Sequence, residues 1–175
     1  MYKIYLSPST QDKSLGLGEY GTEEYRMNMI ADVIERILVG SEDFIVYRNR
    51  REMSRENIIK ESNSLNVDIH VAIHSNYGGA SGPECFPKVG CERSNGVAKE
   101  IYKELKKIYY NKETDNGVIY NDKIVETTSV NSPAVLVEIG YHDNLKDAEW
   151  IINNIYIIGE AIASGIIEGM KLKVC

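Results

Sequence analysis

The sequence predicts an α/β fold: a mostly parallel, twisted sheet of about six strands with helices on both faces. Three observations carry that expectation. Strand-like runs alternate with amphipathic helical runs along the whole chain. The runs starting at Val67 and at Pro133 are apolar and rich in β-branched residues, as central strands covered on both faces are. Glycine, serine and asparagine clusters punctuate the connections. The 175 residues suit a single domain, 1–175, with one substantial core, and no repeat or linker divides it.

In chain order, Lys3-Ile-Tyr-Leu6 reads as the first strand, stopped by Ser7-Pro8-Ser9. A loop with Gly16, Gly18 and Gly21 leads to Thr22, an N-cap candidate. Tyr25, Met29, Ile30, Val33, Ile34 and Ile37 then form an apolar stripe through about Leu38, and Gly40 ends the helix. Phe44–Tyr47 is the second strand and Ser54–Ser62 a second helix, with Asn63–Asn66 turning the chain. Val67-Asp-Ile-His-Val-Ala-Ile-His-Ser-Asn-Tyr-Gly-Gly79 begins as a strand of period two and ends in a polar, glycine-broken loop.

Glu84–Phe86 is a short strand, and Ser94 caps a third helix with its face at Val97, Ala98, Ile101, Leu105 and Ile108. After the turn Asp115-Asn-Gly117 and a polar connection, Pro133–Gly140 is another central strand. The last helix runs from about Leu145 to Met170 with a break expected near Asn153-Asn154. Its glycines at 159, 165 and 169 imply close packing on the sheet, since each costs about 1 kcal/mol of helix propensity.

The formal charge of −6 excludes a nucleic-acid footprint and an electrostatic anchor on another anionic polymer. No apolar run reaches the length of a membrane span. The N-terminus runs straight into a strand with no signal-peptide pattern, so synthesis in the cytoplasm is expected. Cys85, Cys91 and Cys175 lack paired metal spacing; reduced thiols are expected, with a Cys85–Cys91 disulfide as the alternative.

Groups able to do chemistry gather at strand ends, where open α/β sheets bind ligands. They are Ser7–Gln11 after the first strand, the helix opening Gly21–Asn28, His74-Ser-Asn76, and Glu138 at the end of an apolar run. A carboxylate there is costly to bury unless paired, protonated or on a metal. Glutamate, histidine and one further donor beside a free carboxylate suit catalytic zinc. The chain has no H-E-x-x-H pattern, so a zinc peptidase of that type is not expected.

These residues carry a resemblance. Ala72-Ile-His-Ser-Asn76 is similar to the "SIHAN" strand end of the type 3 zinc-dependent N-acetylmuramoyl-L-alanine amidases. Asn63, eleven residues upstream of His74, stands at that family's "AN" turn. Glu24 and Asn28 resemble its helix-opening glutamate and the asparagine four residues on. Pro133-Ala-Val-Leu-Val-Glu-Ile-Gly-Tyr-His-Asp-Asn144 resembles its "PAVLVELGFxSN" strand. The likeness covers nearly the whole chain.

The resemblance implies a peptidoglycan hydrolase of bacterial cell-wall enzymes and phage endolysins. It would cut the amide between N-acetylmuramic acid and the L-alanine of the stem peptide, with zinc as cofactor. Glu24 and His74 would be metal ligands and Glu138 the general base. Asn76 and Tyr77 would meet substrate, with His142 near them as a proton donor or supporting group. His70, deeper on the strand, is expected to be a satisfied core residue. The family's first ligand, the histidine of a "DPGHGG" turn, is missing. Thr10 overlays it and Gln11 follows. A Gln11 oxygen is the expected replacement, because Glu24, His74 and Glu138 would have no purpose in a dead site; a water, or loss of the metal, are the alternatives, the last leaving a peptidoglycan-binding module without catalysis. No wall-anchoring module stands in the chain, so one is expected on a longer parent chain or a partner.

Overall fold

The computed structural model describes residues 1–172. Five strands, not six, form one sheet in the order β2-β1-β3-β5-β4. They are β1 (Tyr2–Pro8), β2 (Phe44–Arg48), β3 (Ile69–Asn76), β4 (Glu84–Pro87) and β5 (Ala134–Tyr141). The first four in that spatial order run parallel, and the edge strand β4 pairs antiparallel with β5. The mostly parallel α/β architecture is the expected one. The polar connection after Gly117 supplies no sixth strand; it carries the short helix α4 (Val125–Ser129), which its sequence did not announce.

Helix α1 (Glu23–Val39) starts at Thr22, whose hydroxyl accepts the Tyr25 N–H. Helix α2 (Arg55–Leu65) runs through Asn63 rather than turning there, and ends at Asn66 in the left-handed conformation (φ 48°). Helix α3 (Glu92–Ile108) begins at Cys91, not Ser94; the Ser94 hydroxyl instead accepts the Ala134 N–H of β5. Helices α5 (Leu145–Asn153) and α6 (Ile155–Lys171) meet at Asn154 with an 83° bend, the break expected there. No single helix among the described residues is long and apolar enough to cross a membrane. Cys85 and Cys91 are free thiols; Cys175 lies outside the described residues.

Period two splits the sheet into unequal faces. Ile4, Leu6, Ile69, Val71, Ile73, Val135, Val137 and Ile139 join α1, α3, α5 and α6 in one large core. The opposite face carries a small cluster, Tyr5, Ile58 and Val67, under α2. The glycines of α6 serve helix packing and not the sheet. A Cβ at Gly165 would lie 2.4 Å from the Ile101 Cα, and one at Gly159 would lie 2.6 Å from the Val33 Cβ. The lean face therefore holds the residues that alternate with the core: His70 and His74 on β3, and Glu138 on β5.

Candidate active site

The register brings His74 opposite Glu138, and the next pairing, Asn76 with Tyr141, skips a residue on β5. That bulge bends the ladder at the carboxyl ends of the two strands, a place where bulges re-aim side chains. His74 Nδ1 stands 2.8 Å from Glu23 Oε1. Glu23 opens α1 and is buried, where the helix N-terminus favours its negative charge. Burial pulls the His74 ring down, but Glu126 and Glu23 outweigh it and hold the ring well above its ordinary value. Burial likewise pushes the Glu23 carboxyl up, and His74 overcomes this and brings it below the usual range.

Glu24, expected at this place, points elsewhere. Successive residues on a helix are about 100° apart, so one of two adjacent carboxylates faces in and the other away. The Glu24 carboxylate accepts the Asn28 side-chain N–H at 3.3 Å and pairs with Arg51 at 3.3 Å. Gln11 reaches the inward residue: its amide nitrogen lies 3.3 Å from the same Glu23 Oε1 that His74 uses. Thr10 lines the grooves on either side without joining this contact.

Glu138 is half-buried, yet its Oε2 is closed off from solvent and has no hydrogen-bond partner. Burial raises its carboxyl to about 8; His74 works against this, and Glu23 and Glu84 add to it. Glu84 sits across the β4–β5 ladder from Glu138. It accepts hydrogen bonds from Asn76 at 3.1 Å and from the Tyr141 hydroxyl at 3.0 Å.

On the other side of His74 lies Glu126, from α4. Its Oε2 is 3.9 Å from His74 Nε2, and its Oε1 is 2.9 Å from His70 Nε2 and hydrogen-bonded to the Ser7 hydroxyl. Burial would raise this carboxyl, but the two imidazoles hold it well below the usual range. His70 is fully buried, stacked on Tyr5 and bonded to Ser62 at 3.0 Å. Sequence reasoning missed Glu126. It stands alone in a polar connection, and only the strand-face match of His70 with His74 hints that a carboxylate is needed there.

Of the three residues expected to meet substrate, Tyr77 alone is open, at 72 % exposure. Asn76 uses both ends of its amide inside the protein, on Glu84 and on the Tyr77 N–H. His142 is buried, with Ser14 at 3.1 Å from Nε2 and Ser75 at 2.8 Å from Nδ1. Ser75 continues to the Tyr20 hydroxyl at 2.6 Å. His142 thus ties the loop after β1 to the end of β3, and neither of its nitrogens is free for a ligand.

The sequence model of the amidase 3 family, described as N-acetylmuramoyl-L-alanine amidase, matches residues 5–168. The chain belongs to that family. It is a peptidoglycan amidase, the activity implied by the resemblance of its strand ends. The curated amidase CwlM of Bacillus licheniformis is 24% identical over 176 residues, covering 97% of this chain and 68% of that protein. The catalytic domain of CwlV from Bacillus (Paenibacillus) polymyxa superposes with a TM-score of 0.84 at 21% identity, covering 99% of this chain and all of that one. The CwlD amidase of Clostridioides difficile, solved with the GerS lipoprotein, gives 0.85 at 20% identity, again over 99% and 100%. These superpositions support the fold. The amidase 3 family is generally zinc-dependent.

Proposed function

We propose that this amidase works through a zinc site built on Glu23 and His74, with Gln11 as third donor and Glu138 as general base. Among the described residues no three His, Cys, Asp or Glu side chains are spaced as a metal site. Gln11 is the donor outside those residue types that reaches Glu23. The observed atoms suit that set. Donors around tetrahedral zinc, at bonds of 2.0–2.1 Å, stand about 3.3 Å apart. His74 Nδ1 and Gln11 lie 2.8 and 3.3 Å from one Glu23 oxygen. Turning the Gln11 amide over would present its oxygen in place of the nitrogen. Glu23 thus takes the role that the sequence register suggested for Glu24.

Bound there, zinc supplies a Lewis acid that polarises the amide carbonyl and lowers the pKa of water. Everything else comes from the chain. The Glu126 carboxylate lies 3.9 Å from His74 Nε2 while Nδ1 faces Glu23, a charge placement that helps orient a metal-binding imidazole. Glu138 holds a proton near neutrality while its surroundings are negative. It releases that proton more readily once positive charge is held by Glu23 and His74. As a carboxylate it accepts the proton of the attacking water and returns it to the leaving amine of L-alanine. Tyr77, exposed just past the end of β3, is the group left to pack on substrate.

The observation that carries this reading is the unpartnered, solvent-excluded Glu138 Oε2 in register with His74. Buried polar atoms are paired unless they have other work. The test is release of new L-alanine amino termini from purified peptidoglycan, with zinc content measured on the same preparations. The expected result is one zinc per chain and turnover lost in His74→Ala. Wall binding without released amino termini would instead make the domain a binding module. The chain's place of action is the cell wall, and a wall-anchoring domain would come from a longer parent or a partner.

A further inference from the structure

A groove of about 420 Å³ runs from His74 and Gln11 to the start of α2 and the segment leading into α4. Two cations line it, Arg55 from α2 and Lys123 before α4, among the apolar side chains Ile58 and Leu136. Among the described residues neither the Arg55 nor the Lys123 side chain has an ion-pair partner, so both charges are open to the groove they line. Glu126 at the groove floor does not account for them, because His70, His74 and Ser7 already satisfy it.

The opposite flank has the opposite sign. Beyond Thr10 a second depression is lined by Asp12, Glu24 and Glu52, with Arg51 taken up by Glu24. In a chain of net charge −6, two cations lining this groove opposite the acidic flank form a local field that draws anions there. Apolar walls between the cations suit an aliphatic peptide and not a bare inorganic anion.

We infer that the groove is the subsite for the stem peptide, and that Arg55 and Lys123 recognise a free carboxylate on its second residue. The inference rests on the amidase reading. L-Alanine would leave from beside His74 with the following residue lying along the groove. The carboxylate would be shared by the two cations, one on each element.

The experiment compares a soluble muramoyl tripeptide, whose second residue is joined to the third through its side-chain carboxyl and so keeps its α-carboxylate free, with the same compound amidated there. The zinc-loaded protein is expected to prefer the free carboxylate 3- to 10-fold in kcat/KM, less at high salt, as for solvent-exposed charge pairs. Arg55→Ala and Lys123→Ala should each raise KM for the free-carboxylate substrate towards that of the amidated one, with the loss in KM and not in kcat. Equal KM for both substrates in the unmodified protein, or an equal rise for both in the variants, overturns the subsite. Cleavage of neither substrate counts against the amidase reading. The subsite is then judged by titration calorimetry of the same two compounds with Glu138→Gln protein, where tighter binding of the free carboxylate supports it and equal affinities overturn it.

Discussion

Two carboxylates flank His74, and the fold treats them in opposite ways. On the α4 side, Glu126 meets two imidazoles and a serine hydroxyl and is held ionised. On the β5 side, Glu138 is shut away with one oxygen unpartnered, and burial lifts it to about 8. Desolvation raises both; what separates them is the number of donors each one finds. A carboxylate with all its partners is a structural fixture, whereas one deprived of them is available to carry a proton. The difference assigns support to α4 and chemistry to β5.

The largest test of that contrast is Glu138→Gln. Fold, melting temperature and zinc content should be kept while kcat falls about 1,000-fold, the middle of the range for a lost general base. Loss of zinc in this variant would make Glu138 a ligand and collapse the distinction.

Glu126→Ala should do the reverse and act first on stability. Removing a buried carboxylate that holds two hydrogen bonds costs about 3 kcal/mol, because His70 and Ser7 lose their partner. Chemical denaturation measures it. A change below about 0.5 kcal/mol would show that Glu126 is not the fixture its contacts describe.

Gln11→Ala asks which side of His74 holds the metal. Zinc affinity against a competing chelator should fall by a factor of tens, Gln11→His should raise it, and Thr10→Ala should leave it unchanged. If Gln11→Ala changes nothing while Glu126→Gln removes the metal, zinc binds at Nε2, on the α4 side, and the roles of the two flanks exchange.

The smallest effect is in pH. In chelated protein, folded Glu138 keeps a proton that the unfolded chain releases at its ordinary value of 4.5. Between 4.5 and about 8 the native state binds more protons, so this group's contribution to stability declines as pH rises through that window. Glu126 has the opposite sign: its contribution is present above 4.5 and is lost on acidification below it. Denaturation midpoints of Glu138→Gln should therefore fall less than those of the parent between pH 5 and 8. Parallel curves would mean that Glu138 is ionised throughout.

Local pattern was enough for much of this. Period-two alternation placed His70 and His74 on one face of their strand, because side-chain direction in a strand depends on nothing beyond the residue's parity. Strand-end position marked His74 and Glu138 as candidate groups, and the break near Asn153-Asn154 was legible from its composition. Packing decided what pattern could not. Glu23 and Glu24 are chemically equivalent neighbours, and only the phase of α1 against the sheet turns one to His74 and the other to Arg51. His142 looked like a loop histidine free for substrate until the loop after β1 closed over it with Ser14. Glu126 sits 52 positions from His74 in an unpatterned connection, and no short-range signal encodes a contact whose partners come from two strands far away in sequence. Periodicity reports which way a side chain faces; which other side chain it meets depends on chain segments far away in sequence, and folding alone brings those together.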